Sequence, residues 1–143
     1  MVAIDTSFPP AMGYVAFAEL VGSLVEPLGF ETRHIDVPEH LWKTSVSVKG
    51  AVRRNLIAER KTGKPTCGLY FHVDTVPAAP GWRRDPLRLT QEGSRLYGLG
   101  TADMKGTIAA VLMALRAAAR NDVELAYNPM LLFCTDEECG LYP

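Results

Sequence analysis

Cys67-Gly68-Leu69-Tyr70-Phe71-His72-Val73-Asp74 is apolar at odd and even positions alike until it meets an imidazole and a carboxylate. A strand apolar on both faces is one covered on both sides, so the run reads as a central strand with polar chemistry at its C-terminal end. A second apolar run, Met130-Leu131-Leu132-Phe133-Cys134, follows the break at Tyr127-Asn128-Pro129 and leads into Thr135-Asp136-Glu137-Glu138. Between the two runs, Ile108, Val111, Leu112, Leu115 and Ala119 recur at helical spacing in an Ala-rich segment, predicting a helix from about Met104 to Arg120. Strand, helix and strand in this order predict a layered α/β architecture with a mostly parallel sheet. In such sheets, sites form at strand C-terminal ends.

Outward from this unit, Tyr14, Phe17, Ala18, Val21, Leu24, Val25 and Leu28 follow a helical period that Pro27 and Gly29 end. Phe30 to Val37 shifts toward a period of two, and Val46-Ser47-Val48 and Leu56-Ile57-Ala58 are further short strand candidates. Thr62-Gly63-Lys64-Pro65 is a turn. Leu87 to Gln91 and Arg95 to Gly98, joined through Glu92-Gly93-Ser94, form a hairpin pattern.

Composition narrows the function classes. The 143 residues are 48% hydrophobic and 22% charged, enough apolar content for a globular core. A net charge of −1 without a Lys or Arg run provides no electrostatic footprint for nucleic acid or an anionic membrane, so small polar substrates are the open class. The start, Met1-Val2-Ala3-Ile4-Asp5, has no signal-peptide pattern, and no stretch approaches the ~20 apolar residues of a membrane span. A cytoplasmic protein is the expectation. Cys67, Cys134 and Cys139, an odd set, read as ordinary thiols rather than a disulfide framework.

Three motifs carry chemistry. His72 and Asp74, two apart at a strand end, leave the same face, so a carboxylate can hold one ring nitrogen while the other binds Zn²⁺. Read alone, the pair is also a solvated His beside a turn-capping Asp. Asp103 lies among Gly98, Gly100 and Gly106, just before the long helix, where it can bridge two cations or cap the helix. Gly98-Leu99-Gly100 begins like a dinucleotide fingerprint but fails at the third glycine, where Asp103 would oppose a phosphate. Glu137 and Glu138, adjacent in a turning segment, can divide into a metal ligand and a base that takes a proton from an activated water. An exposed acidic turn is the bland alternative. The coincidence of all three motifs in one α/β chain favours a two-metal hydrolase. Nucleophile chemistry is weaker, because there is no Gly-x-Ser-x-Gly elbow and no helix-start or basic setting for Cys134 or Cys139. Trp82, Arg83 and Arg84 read as surface residues.

On His72-Val73-Asp74-Thr75-Val76-Pro77, Tyr97-Gly98-Leu99-Gly100-Thr101-Ala102-Asp103-Met104-Lys105-Gly106 and Thr135-Asp136-Glu137-Glu138, the chain resembles the M20 metallopeptidases. That family includes acetylornithine deacetylase, succinyl-diaminopimelate desuccinylase, carboxypeptidases and aminoacylases. The resemblance implies a three-layer αβα sandwich and a two-zinc site, with Co²⁺ as an alternative ion. His72 would bind one metal, Asp103 would bridge both and Glu138 would bind the other; Asp74 would orient His72, and Glu137 would be the general base. It also implies a cis peptide at Asp103-Met104. Leu99 and Cys139 depart from the residues usual there, without removing a ligand.

The implied reaction is amide hydrolysis of an N-acyl amino acid or a peptide, with a homodimer in the full-length protein. Residues 1–143 would be the N-terminal portion of the catalytic domain, without the lid or dimerisation domain and without a later carboxylate and His. Each metal would then keep two ligands here, against about three at a catalytic zinc. The chain alone is therefore expected to bind metal weakly and to hydrolyse nothing.

Overall fold

The computed structural model describes residues 1–43 and 48–140. In chain order it contains α1 (Tyr14–Val25) with a 3₁₀ turn (Glu26–Leu28), β1 (Glu31–Asp36), a short α2 (Glu39–Trp42), β2 (Arg54–Glu59), β3 (Thr66–His72), β4 (Thr90–Glu92), β5 (Arg95–Tyr97), α3 (Lys105–Arg120) and β6 (Asn128–Cys134). The strand candidate at Val46-Ser47-Val48 falls, for Val46 and Ser47, outside the described residues.

The α/β class read from the sequence is the one observed, and the main sheet has the order β1-β2-β6-β3. It is mixed rather than mostly parallel. β1 with β2 and β2 with β6 run antiparallel, and β3 with β6 runs parallel. The connections allow this: α3 lies in the long crossover that the parallel pair β3 and β6 requires, whereas the antiparallel pair β1 and β2 needs no crossover. β3, expected in the centre, is an edge strand among the described residues, and its Tyr70 is 51% exposed. The four-residue α2 had no counterpart in the sequence reading.

One sheet face carries the core. Leu56, Phe133 and Phe71 stand in register across three strands, with the Phe71 and Phe133 rings stacked at 5.1 Å. Phe17, Val21 and Val25 of α1 and Ile108 and Leu112 of α3 join the same cluster, so both long helices cover this one face. On the opposite face, Ile57 and Leu132 are only half-buried beside Tyr70. The second helical layer of a three-layer sandwich is thus not among the described residues.

The helix ends follow local chemistry. Pro27 sits in the 3₁₀ turn that closes α1, and Gly29 takes the left-handed conformation after it (φ 81°). α3 ends where Asn121 returns its backbone N–H and its Nδ2 to the Ala117 carbonyl. Each buried aliphatic such as Ile108 contributes about 1.5–3 kcal/mol, so the apolar stripe rather than propensity alone holds α3 to the sheet.

Candidate metal centre

His72 is the last residue of β3, and its ring is almost wholly buried. Nε2 lies 3.0 Å from Oδ1 of Asp103, which is 74% exposed at the end of the loop before α3. Asp103 does not cap that helix: Met104 occupies the N-cap position, and no side chain makes a capping bond there. It reaches the site from the loop between β5 and α3, not from a main-sheet strand end. The Asp103-Met104 peptide is cis, and the Met104 sulfur accepts the His72 backbone N–H at 3.3 Å.

The loop's path depends on glycine. Gly100 has φ 74°, and a Cβ there would lie 2.6 Å from the Thr75 methyl. A Cβ on Gly106 would lie 2.2 Å from the Thr101 carbonyl oxygen, so the helix can start this close to the loop only without a side chain. Lys105, between them, is buried with Nζ donating to the Ile4 carbonyl at 2.9 Å, and burial pulls its pKa down to about 8.

The nearest acceptor for His72 Nδ1 is the Asp74 backbone carbonyl, at 3.1 Å; the Asp74 carboxylate is 3.7 Å away. Burial opposes protonation of His72, but Asp103 and Asp74 outweigh it and the pKa is raised. Asp74 is fully buried. Its Oδ2 accepts the Glu138 N–H at 2.8 Å, while Oδ1, the oxygen facing His72 at 3.7 Å, has no hydrogen-bond partner among the described residues. Burial pushes its pKa up, against the backbone N–H groups of Glu138 and Glu137 and the nearby His72. Glu138 is also raised, first by burial and then by Asp103, Asp74 and Glu137, with His72 opposing.

Donor atoms of His72, Asp103 and Glu138 lie within 4.8 Å of one another. One imidazole and two carboxylates are a hard-to-borderline donor set suited to zinc, and the buried Asp74 carboxylate lies beside them. The structure therefore brings together the three residues singled out as ligands and sets Asp74 beside them, while Glu137 follows the left-handed Asp136 in the same corner. A cavity of about 620 Å³ lies elsewhere, between the N-terminal residues, the hairpin and α3, lined by Val2, Leu87, Leu96 and Ala109 among others and by none of the three donors.

Sequence reading missed the residues behind the corner. Asp136 is fully buried; its Oδ2 accepts Arg53 Nε at 2.6 Å and its Oδ1 accepts the Tyr14 hydroxyl at 2.8 Å. Asn55 Oδ1 accepts the Thr135 N–H at 3.0 Å. The acidity of Asp136 was visible, but its partners lie on α1 and beside β2. Among the surface residues, Trp82 is 41% exposed and Arg84 pairs with Glu92, as their surface reading implied.

An imidazole and two carboxylates gathered at one end of a mixed α/β sheet are the donor set that metal-dependent hydrolases use. The chain belongs to peptidase family M20/M25/M40, whose model matches residues 68–142. It is 38% identical over 120 residues to acetylornithine deacetylase of Photorhabdus laumondii, covering 83% of this chain and 28% of that protein. It is 44% identical over 84 residues to succinyl-diaminopimelate desuccinylase of Acidiphilium cryptum, covering 59% of this chain and 22% of that one. The M20 metallo-carboxypeptidase Sso-CP2 from Sulfolobus solfataricus superposes with a TM-score of 0.75 at 29% identity, over 97% of this chain and 30% of that one. Human carnosine dipeptidase 1, with a TM-score of 0.82 at 24% identity over 96% of this chain and 30% of that one, shares the fold. The chain thus spans less than a third of the length of these relatives.

Proposed function

We propose that these residues are part of a two-metal centre that hydrolyses an amide bond, with an N-acyl amino acid as substrate. The observation that carries the reading is the convergence of the His72, Asp103 and Glu138 donors within 4.8 Å. In this reading His72 and Asp103 would hold one ion and Asp103 and Glu138 the other, and zinc would suit the donors. A divalent cation bound there supplies Lewis-acid polarisation and lowers the pKa of water. The chain's own contribution is positional and protonic: Asp74 holds the Glu138 backbone through Oδ2, and Glu137 accepts the proton from the attacking water and passes it to the leaving amine.

The two donors per ion fall short of the about three protein ligands of a catalytic zinc, so the remaining ligands come from outside these residues. The deacylase preference rests on the relatives named acetylornithine deacetylase and succinyl-diaminopimelate desuccinylase, whose identities exceed that of the carboxypeptidase. A carboxypeptidase or dipeptidase using the same donors is the second reading, favoured by the superposition on Sso-CP2. A non-catalytic binding module would have no use for Glu137. Among the described residues no helix is long and apolar enough to cross a membrane. A homodimer belongs to the proposal through the family resemblance, and a cytoplasmic setting through the sequence reading.

The test is Glu137→Gln in the complete protein, assayed with zinc on N-acetyl amino acids and on dipeptides. Loss of a general base lowers turnover by roughly 10²–10⁴-fold while zinc content stays at the wild-type level. Turnover that survives the substitution removes Glu137 as the base, and absence of zinc-dependent turnover in the unsubstituted protein removes the hydrolase reading. Hydrolysis of the dipeptides alone transfers it to the peptidase alternative.

A further inference from the structure

We infer that Arg53 is a positioning residue that, together with Tyr14, clamps Asp136 and thereby sets the direction of Glu137 and Glu138. The inference rests on the proposed use of those two glutamates. The Arg53 side chain is 0% exposed, and its guanidinium sits 4.2 Å from the Trp42 ring centroid, 5.1 Å from Phe8 and 5.4 Å from Tyr14. Its one hydrogen bond among the described residues runs from Nε to Asp136 Oδ2, and both terminal nitrogens lack a hydrogen-bond partner there. The rings offset part of the burial cost through their π faces. Even so, replacing both members of a buried ion pair by apolar side chains of similar volume is often neutral or stabilising, so stability alone does not explain the Arg53–Asp136 pair.

The geometry of the corner shows what the clamp does. Asp136 has φ 64°, a left-handed conformation that a non-glycine residue adopts at a cost and holds only when its surroundings fix it. It comes immediately before Glu137, so its conformation sets where the next two carboxylates point. After it, the Gly140 N–H donates to the Glu137 carbonyl at 3.0 Å and the Glu138 N–H donates to Asp74 at 2.8 Å. Arg53 and Asn55 are two apart where the chain enters β2, and they hold the consecutive residues Asp136 and Thr135. Tyr14, from the first turn of α1, supplies the other bond to Asp136. Three separate parts of the chain thus fix one corner, and Arg53 and Tyr14 touch neither Glu137 nor Glu138 through any hydrogen bond observed.

The 143-residue chain is compared with Arg53→Met, Arg53→Lys and, as a stability control, Val25→Ala at the buried end of α1. Two readouts are taken: amide hydrogen exchange at Glu138 against Leu132 inside β6, and the affinity for added Co²⁺. In Arg53→Met, Glu138 exchange should rise about tenfold more than Leu132 exchange, because the corner opens locally rather than with the sheet. Co²⁺ affinity should fall about tenfold, the low end of the loss when a group bonded directly to a ligand is removed, because Arg53 acts on Glu138 through Asp136. Arg53→Lys, with the charge but not the planar fork, should fall between. Val25→Ala should speed both amides alike and leave Co²⁺ affinity unchanged.

Equal acceleration of the two amides in Arg53→Met overturns the inference, whether or not the chain binds Co²⁺. The expected exchange pattern supports the clamp even in a chain that binds no Co²⁺, because the metal reading draws its remaining ligands from outside these residues. If Arg53→Met does not fold, Tyr14→Phe, which keeps the ring and removes one bond to Asp136, carries the same comparison.

Discussion

Arg53 and Arg54 are neighbours, and each donates from Nε to an aspartate oxygen at 2.6 Å, yet the two pairs live in different solvents. Arg53 meets Asp136 with both side chains fully buried; Arg54 meets Asp36 with 25% and 51% of the respective side chains exposed. The exposed pair even has the better geometry, with a second bond from Nη2 at 2.7 Å. Bond length and bond count therefore do not rank them. Desolvation does: in water either partner of the surface pair is re-solvated when the other is lost, whereas in the interior the survivor has nowhere to go.

The largest expected effect comes from breaking the buried pair. Arg53→Met leaves the Asp136 carboxylate enclosed with only the Tyr14 hydroxyl, and should lower unfolding free energy in urea by about 3–5 kcal/mol. Because the pair is shielded from solvent, that loss should change little between low and high salt. A loss below about 1 kcal/mol would put Arg53 and Arg54 in one class and dissolve the contrast.

Tyr14→Phe comes next. It removes one hydrogen bond to a buried charged group while keeping the ring against Arg53, and should cost about 1.5–3 kcal/mol. Burial, reinforced by Asp136 and Asp74, pushes the pKa of this phenol far above its usual range, so the hydroxyl is a donor at neutral pH. The double variant with Arg53→Met sharpens the comparison further. Both residues act on Asp136, so their losses should depart from additivity by about 0.5–3 kcal/mol. Simple addition would mean that they do not share one clamp.

The same contrast explains what was legible in the sequence. His72, Asp103 and Glu138 were legible because each sits in a motif with its own local signal: an apolar run before it, glycines around it, or a second carboxylate beside it. Arg53 had no such signal. It precedes another arginine, and a charged doublet normally means solvent; its partner is 83 residues away and its cage comes from α1, α2 and the N-terminal segment. Periodicity located α1 and α3 well because a helix declares its buried face in its own spacing. It could not place β3 within the sheet, since an apolar run records how a strand is covered, not which neighbours pair with it. Topology likewise depends on connections, and the antiparallel entry of β2 beside β6 left no mark in either strand's composition.

The smallest effect is expected at the exposed pair, and its pH dependence separates it from the buried one. Hydrogen bonding from Arg54 lowers the Asp36 pKa below its ordinary 3.8, opposed by slight burial. The folded state then binds fewer protons than the unfolded state around that value, so the pair's contribution is complete above pH 3.8 and is lost as pH falls through the lowered folded value. With half of Asp36 in water, that contribution is screened, and Asp36→Asn should change stability by less than about 1 kcal/mol at neutral pH. Added salt should shrink even this difference, and strong acid should abolish its ionic part, because position 36 is then neutral in wild type and variant alike. Urea titrations of both proteins at neutral pH and in acid, with and without salt, measure it directly. A salt-insensitive loss of several kcal/mol would show that geometry, not desolvation, ranks the two arginines.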